Sequence, residues 1–298
     1  SAGCGASGQR KRAVRPEISV CEPASGIACG MRISRRLLFA VLPVLGACNR
    51  SGALRPLPDG GIHVLFIGNS LTAANDLPQT VAAIAALAND TIRVMRMTAN
   101  NTALVDHLNG APDGVAALAI GGWDHVVLQQ GPTPAGICRD SLVLWTQWFD
   151  PLIRAGGARP AILMTWPGSR GTAGAFDIVR ESFQAAAAAV QGAFIPGGAA
   201  WQEAWRLDPT LRFYGSDGFH PSPLGSFLVA LVIYERLSGH DARLLPPTAF
   251  RGNWPLVVSE PTVRLLQEAA HRANELFPSP PPLPIQPALP PGTLAATC

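Results

Sequence analysis

A serine hydroxyl becomes a nucleophile when a base removes its proton, and an imidazole does this near neutral pH when a carboxylate fixes its tautomer and steadies the imidazolium. The chain contains such a set. Ser70 lies in His63-Val-Leu-Phe-Ile-Gly-Asn-Ser-Leu-Thr-Ala-Ala-Asn-Asp76, and Asp217-Gly-Phe-His220-Pro-Ser222 puts a carboxylate three residues before a histidine, close enough to share one turn. In this reading Asp217 orients His220 and His220 activates Ser70, with the chain order Ser, Asp, His and without a Gly-x-Ser-x-Gly elbow. Each fragment alone has a plainer use, Ser70 as a helix cap and His220-Pro221 as a turn with Asp217 accepting local N–H groups. Their joint occurrence favours chemistry.

Elements of an α/β domain are needed to bring these distant residues together. Val64 to Ile67 is β-branched and aromatic enough for a strand buried on both faces, Gly68 permits a sharp exit, and Leu77-Pro78-Gln79-Thr80 reads as a helix start. Further strands are expected over 91–97, 123–128, 161–166 and 193–196. Helices are expected over 77–88, 102–108, 141–155, 174–190, from the 217–221 loop to Leu237, and over 260–276. Alternation of this kind predicts a doubly wound sheet, where chemistry collects at strand ends.

At these residues the chain resembles the SGNH hydrolases, also called GDSL-like esterases and lipases, in a branch whose first block reads Gly68-Asn69-Ser70-Leu71, over residues 64–237. The resemblance implies an α/β class: a flavodoxin-like three-layer α/β/α sandwich around a mostly parallel five-stranded sheet. It makes Ser70 the nucleophile and Asp217 and His220 its Asp-x-x-His partners. The Ser70 N–H is implied as one oxyanion donor. The family's second block offers a glycine N–H as another, and the matching turn here is Ala99-Asn100-Asn101-Thr102, whose asparagines tolerate left-handed backbone. The third block usually ends in asparagine; here Leu128-Gln129-Gln130-Gly131 looks like a variant with glutamine. Either Gln129 or Gln130 fits that role, and Gln129 is preferred because it directly ends the apolar run.

The implied activity is serine ester hydrolysis through an acyl-enzyme, acting on a small-molecule or glycan ester, with short acyl or O-acetyl groups on carbohydrate or envelope material as substrates. The alternative is a lipid-anchored glycan-binding module with weak catalysis on the same fold, motivated by the altered second and third blocks. Trp166 closes the fourth strand and is the candidate for stacking on a sugar or acyl group, although a core position suits it equally.

No cofactor is expected. His63, His107 and His125 read as structural and His240-Asp241 as exposed; His-Glu-x-x-His is absent, so no metal is expected, and the lack of Gly-Lys-Ser/Thr excludes a P-loop. Lys11 is the sole lysine, and seven of the 23 basic residues but only two of the 20 acidic ones precede residue 49. The remainder is slightly acidic, which argues against nucleic acid as partner.

The domain is expected over 62–277, after a linker at 49–61. Residues 31–48 read as a lipoprotein-type signal: a basic start at Met31-Arg-Ile-Ser-Arg-Arg36, an apolar run over 37–45, and Leu45-Gly46-Ala47-Cys48 as a lipobox. The apolar run falls short of the ~20 residues that a spanning helix needs. Export to the cell envelope or periplasm with a membrane anchor at Cys48 is the expectation. Residues 1–30 read as disordered or as sequence upstream of the true start, and 278–298 as a proline-rich disordered tail. Among the six cysteines only Cys138 lies within the domain, where it reads as a free loop thiol.

Overall fold

Val64, Leu65, Phe66 and Ile67 are all fully buried, because their strand has a hydrogen-bonded neighbour on each side and helices over both faces. A computed structural model describes residues 60–279 apart from Ala111, Pro134 and Ala173. The leader, Cys48 and all but the first residues of the proline-rich tail lie outside the described residues.

The central strand β1 (Ile62–Asn69) pairs in parallel with β2 (Ile92–Ala99) on one side and β3 (His125–Leu128) on the other. Next to β3 come β4 (Arg159–Leu163) and β5 (Ala193–Ile195), also parallel, giving the order β2-β1-β3-β4-β5. Alternate side chains divide between two cores. Val64 and Phe66 face α2 (Leu77–Leu87), α7 (Gly197–Leu207), α8 (Pro223–Ser238) and α9 (Glu260–Leu276). Leu65 and Ile67 face α3 (Leu104–Leu108), α4 (Gly114–Leu118), α5 (Ile137–Ala155) and α6 (Ala175–Ala189). The result is a three-layer α/β/α sandwich with a five-stranded parallel sheet.

This topology creates the crevice. After β1 the chain crosses outward to β2, then returns to the other side of β1 as β3, so the connections leaving β1 and β3 diverge at their C-terminal ends. Ligands of such sheets bind where the strand order reverses. Ser70 opens α1 (Ser70–Ala73) directly after β1, and Gln129 and Gln130 directly follow β3.

The α8 helix is apolar around nearly its whole circumference, as a helix enclosed by α2, α7 and α9 must be. Its start is well defined. Ser222 accepts the Gly225 N–H at 3.1 Å and Pro223 fills the first turn, so the Asp217–His220 segment is a loop ending just before the helix.

Several elements differ from the sequence expectation. The α7 helix starts at Gly197-Gly198, where a Cβ on Gly198 would sit 2.2 Å from the Thr165 carbonyl oxygen; the glycines allow the helix to abut the end of β4. A short antiparallel hairpin, β6 (Ala249–Arg251) with β7 (Trp254–Leu256), packs beside α2 and was not anticipated, nor was α4. Cys138 is not a free loop thiol: it lies in the first turn of α5 and is disulfide-bonded. Among the described residues no helix is long and apolar enough to cross a membrane.

Candidate active site

The turn after β1 is fixed by Asn69. Its Oδ1 accepts the Leu71 N–H at 3.0 Å, capping α1, while its Nδ2 donates to the Thr102 carbonyl at 3.1 Å. Asn69 therefore does the capping, which leaves the Ser70 hydroxyl available. Asn75, in left-handed geometry at φ 54°, donates to the Pro221 carbonyl at 2.8 Å and to Ser226 Oγ at 3.0 Å, joining this turn to the loop that carries the histidine. Behind Gly68 lies His107, fully buried, with Nε2 2.9 Å from the Gly68 carbonyl. Burial pushes its pKa down, so it is a neutral imidazole donating from Nε2, a structural role like the one expected.

His220 reaches the same turn from α8's approach loop. Its Nε2 is 2.9 Å from Ser70 Oγ, and its Nδ1 is 2.5 Å from Asp217 Oδ2. The carboxylate only accepts, which assigns the proton to Nδ1 and leaves the Nε2 lone pair facing the serine hydroxyl. Asp217 Oδ1 also accepts the N–H groups of Phe219 at 2.9 Å and His220 at 3.0 Å. The hydrogen bond from His220, reinforced by the Phe219 N–H, pulls the Asp217 pKa down to about 2. Gly218 at φ 69° makes this tight wrap possible.

Bonds beyond those among Ser70, His220 and Asp217 also hold the loop. Trp166 Nε1 donates to the Phe219 carbonyl at 3.0 Å, Ser169 N–H to the Gly218 carbonyl at 2.8 Å, and Gly215 N–H to the His220 carbonyl at 2.7 Å. The Trp166 substrate-stacking expectation is thereby corrected. The ring is 2% exposed and stacks on Trp201 at a centroid distance of 4.0 Å, so it offers no face to a substrate. Trp166 clamps the histidine loop.

The preference for Gln129 as oxyanion donor is also corrected. Gln129 Oε1 accepts from Asn69 N–H at 2.9 Å and Thr72 Oγ at 2.8 Å, and its Nε2 donates to the Gln130 carbonyl at 2.6 Å. Both ends of that carboxamide are engaged beneath the Ser70 turn. Gln130 differs: its Oε1 accepts the Leu104 N–H at 3.1 Å, while its buried Nε2 has no partner. Gln130 lines a pocket of about 360 Å³ together with Ser70, Asn101, Thr102, Asp106 and Phe219. A buried N–H donor is rarely left unpaired without a reason. Asn101, at φ 57°, is the asparagine of the second turn on this pocket wall; Asn100 does not line it.

A larger cavity of about 590 Å³ lies at the opposite end of the strands, beside His125 and Arg159 at the starts of β3 and β4. Among the described residues Glu235, Asp241 and His271 bring possible metal-ligand atoms within 4.8 Å of one another. They sit at the far end of α8 from His220, where Arg243 pairs with Asp241 and His271 Nδ1 lies 3.0 Å from Glu235 Oε1.

Comparison with solved structures places this geometry among known folds. A protein from Slackia heliotrinireducens described as "a putative SGNH hydrolase" superposes with a TM-score of 0.50 at 30% identity, over 59% of this chain and 99% of that one. A DUF4886 family protein from Bacteroides uniformis superposes with a TM-score of 0.57 at 18% identity, over 74% of this chain and 96% of that one, a likeness of fold alone. No family model matches the chain, and no curated protein sequence does.

Proposed function

The chain belongs to the SGNH hydrolase family, and from that premise we propose that it hydrolyses carboxylic esters through an acyl-enzyme on Ser70. The observation that carries the reading is the continuous bonded chain Ser70 Oγ, His220 Nε2, His220 Nδ1, Asp217 Oδ2. Ser70 Oγ attacks the ester carbonyl carbon as His220 Nε2 takes the hydroxyl proton, and Asp217 stabilises the imidazolium. The Ser70 N–H and the backbone at Asn101 are the oxyanion donors in this reading, with the unpartnered Gln130 Nε2 as the side-chain candidate. Collapse expels the alcohol, which takes its proton from His220. Water, deprotonated by His220, then cleaves the acyl-enzyme, releasing the acid and restoring Ser70.

The pocket supports a compact acyl group. Its polar wall of Asn101, Thr102, Asp106 and Gln130, beside Val105 and Phe219, suits short acyl or O-acetyl esters of hydroxyl-rich molecules such as carbohydrate. The bonded relay favours turnover over the alternative of a glycan-binding module. In the test, p-nitrophenyl acetate is hydrolysed by the wild type and a Ser70→Ala variant loses at least ~10³ of kcat. Equal turnover by both proteins would refute hydrolysis at Ser70.

Lipidation of Cys48 and residence in the cell envelope remain part of the proposal, supported by the Leu45-Gly46-Ala47-Cys48 pattern. Metabolic incorporation of a fatty acid into the wild type but not into a Cys48→Ala variant is the expected result. Equal incorporation would refute it.

A further inference from the structure

Gln129 is 1% exposed, and its carboxamide spans the two halves of the crevice. The β1–β3 ladder ends at the Ile67–Leu128 pair, with the Gln129 N–H donating to the Ile67 carbonyl at 2.9 Å. Beyond that rung the two chains separate, one into α1 and the other toward Gly131. The Gln129 side chain then acts as one more rung: its Oε1 takes the Asn69 N–H at 2.9 Å and the Thr72 hydroxyl at 2.8 Å, while its Nε2 holds the Gln130 carbonyl at 2.6 Å. One planar group thus touches the residue before Ser70, a residue just after it, and the backbone of Gln130, whose buried Nε2 has no partner.

Gly68 is matched to this arrangement. A Cβ there would stand 2.5 Å from Gln129 Oε1 and 2.8 Å from Thr72 Oγ, so the glycine is needed for space rather than for backbone freedom. Replacing the glycine would push the carboxamide out of its place.

We infer that Gln129 is a positioning residue for the reaction: it sets the distance between the Ser70 turn and the Gln130 donor without touching the substrate. This rests on the proposed hydrolysis at Ser70. Catalysis is sensitive to such spacing, since a misplacement of ~1 Å can lower a rate by ~10²-fold.

The test uses the full chain and an acetyl ester, with kcat and KM measured separately. Gln129→Leu keeps the volume and removes all three bonds; kcat is expected to fall about tenfold or more while KM stays within about twofold. The double variant with Gln130→Ala should lose less than the product of the two single losses, because Gln129 acts in part through Gln130. Thr72→Val, which removes one bond and leaves the packing, should lower kcat about threefold at unchanged KM, and it carries the test if Gln129→Leu does not fold. Losses that multiply independently, or a kcat unchanged in Thr72→Val or in folded Gln129→Leu, would overturn the inference. Ser70→Ala is assayed alongside. If it is inactive while Gln129→Leu is fully active, the positioning role falls and hydrolysis at Ser70 stands. If it is fully active, both fall.

Discussion

In the proposed mechanism Asp217 and Gln130 have opposite electrostatic tasks: the first must stay charged to steady a cation, and the second must offer a neutral donor to a transient anion. With its pKa pulled to about 2, Asp217 is ionised at any pH where His220 could act as a base. The sign of the stability effect follows. A folded-state value below the ordinary 3.8 means that the interaction stabilises the protein fully above about pH 4 and is lost as pH falls toward 2. Asp217→Asn should therefore flatten the fall of Tm between pH 4 and pH 2 relative to the wild type; equal slopes would contradict the assignment. Gln130→Ala should cost about 10²-fold in kcat, about 3 kcal/mol, and should also lower Tm, because it strips the buried Leu104 N–H of its acceptor. The meeting of Ser70, His220 and Asp217 was legible in the sequence because the chemistry proposed for them restricts those positions to few residue types. The glutamines were not, since neither residue lies within β3, where strand alternation would orient them, and the space that draws Gln129 under the turn comes from Gly68, remote in the chain.

Among the elements, the histidine loop depends on the segment after β4 as well as on its own sequence. Trp166 donates to the Phe219 carbonyl, one residue before His220, and is itself fixed by stacking on Trp201 of α7. Trp166→Phe keeps most of the stacking area and removes the donor. It should lower kcat about three- to tenfold with KM little changed, a loss of about 1 kcal/mol. A kcat equal to the wild type's would show that the Ser169 and Gly215 bonds suffice to hold the loop. Strong periodic elements could be read directly: α9 occupies residues 260–276, as its amphipathic pattern predicts. The α7 helix was missed because it begins with two glycines, which signal a loop in sequence but serve here to let helix and strand approach closely. Trp166 was ambiguous for a related reason. Whether an aromatic at a strand end faces solvent or core depends on a partner, Trp201, supplied by a later helix.

Over the whole molecule, a reversal of strand order between β1 and β3 brings together residues from the front, middle and end of the domain. Two separate cores pack the two faces of the sheet that carries the crevice, and α8 anchors the histidine loop through Ser222 and Pro223. The doubly wound class was legible because buried parallel strands read as continuous apolar runs separated by helical segments. Convergence of Ser70, Asp217 and His220 at one end of the sheet is the central claim. Its most direct measurement is reaction of the full chain with a fluorophosphonate probe, with the modified residue located by peptide mass spectrometry. A single adduct on Ser70 that is lost in His220→Ala is the expected result. No adduct on Ser70, or labelling undiminished in His220→Ala, would contradict a serine activated by this histidine.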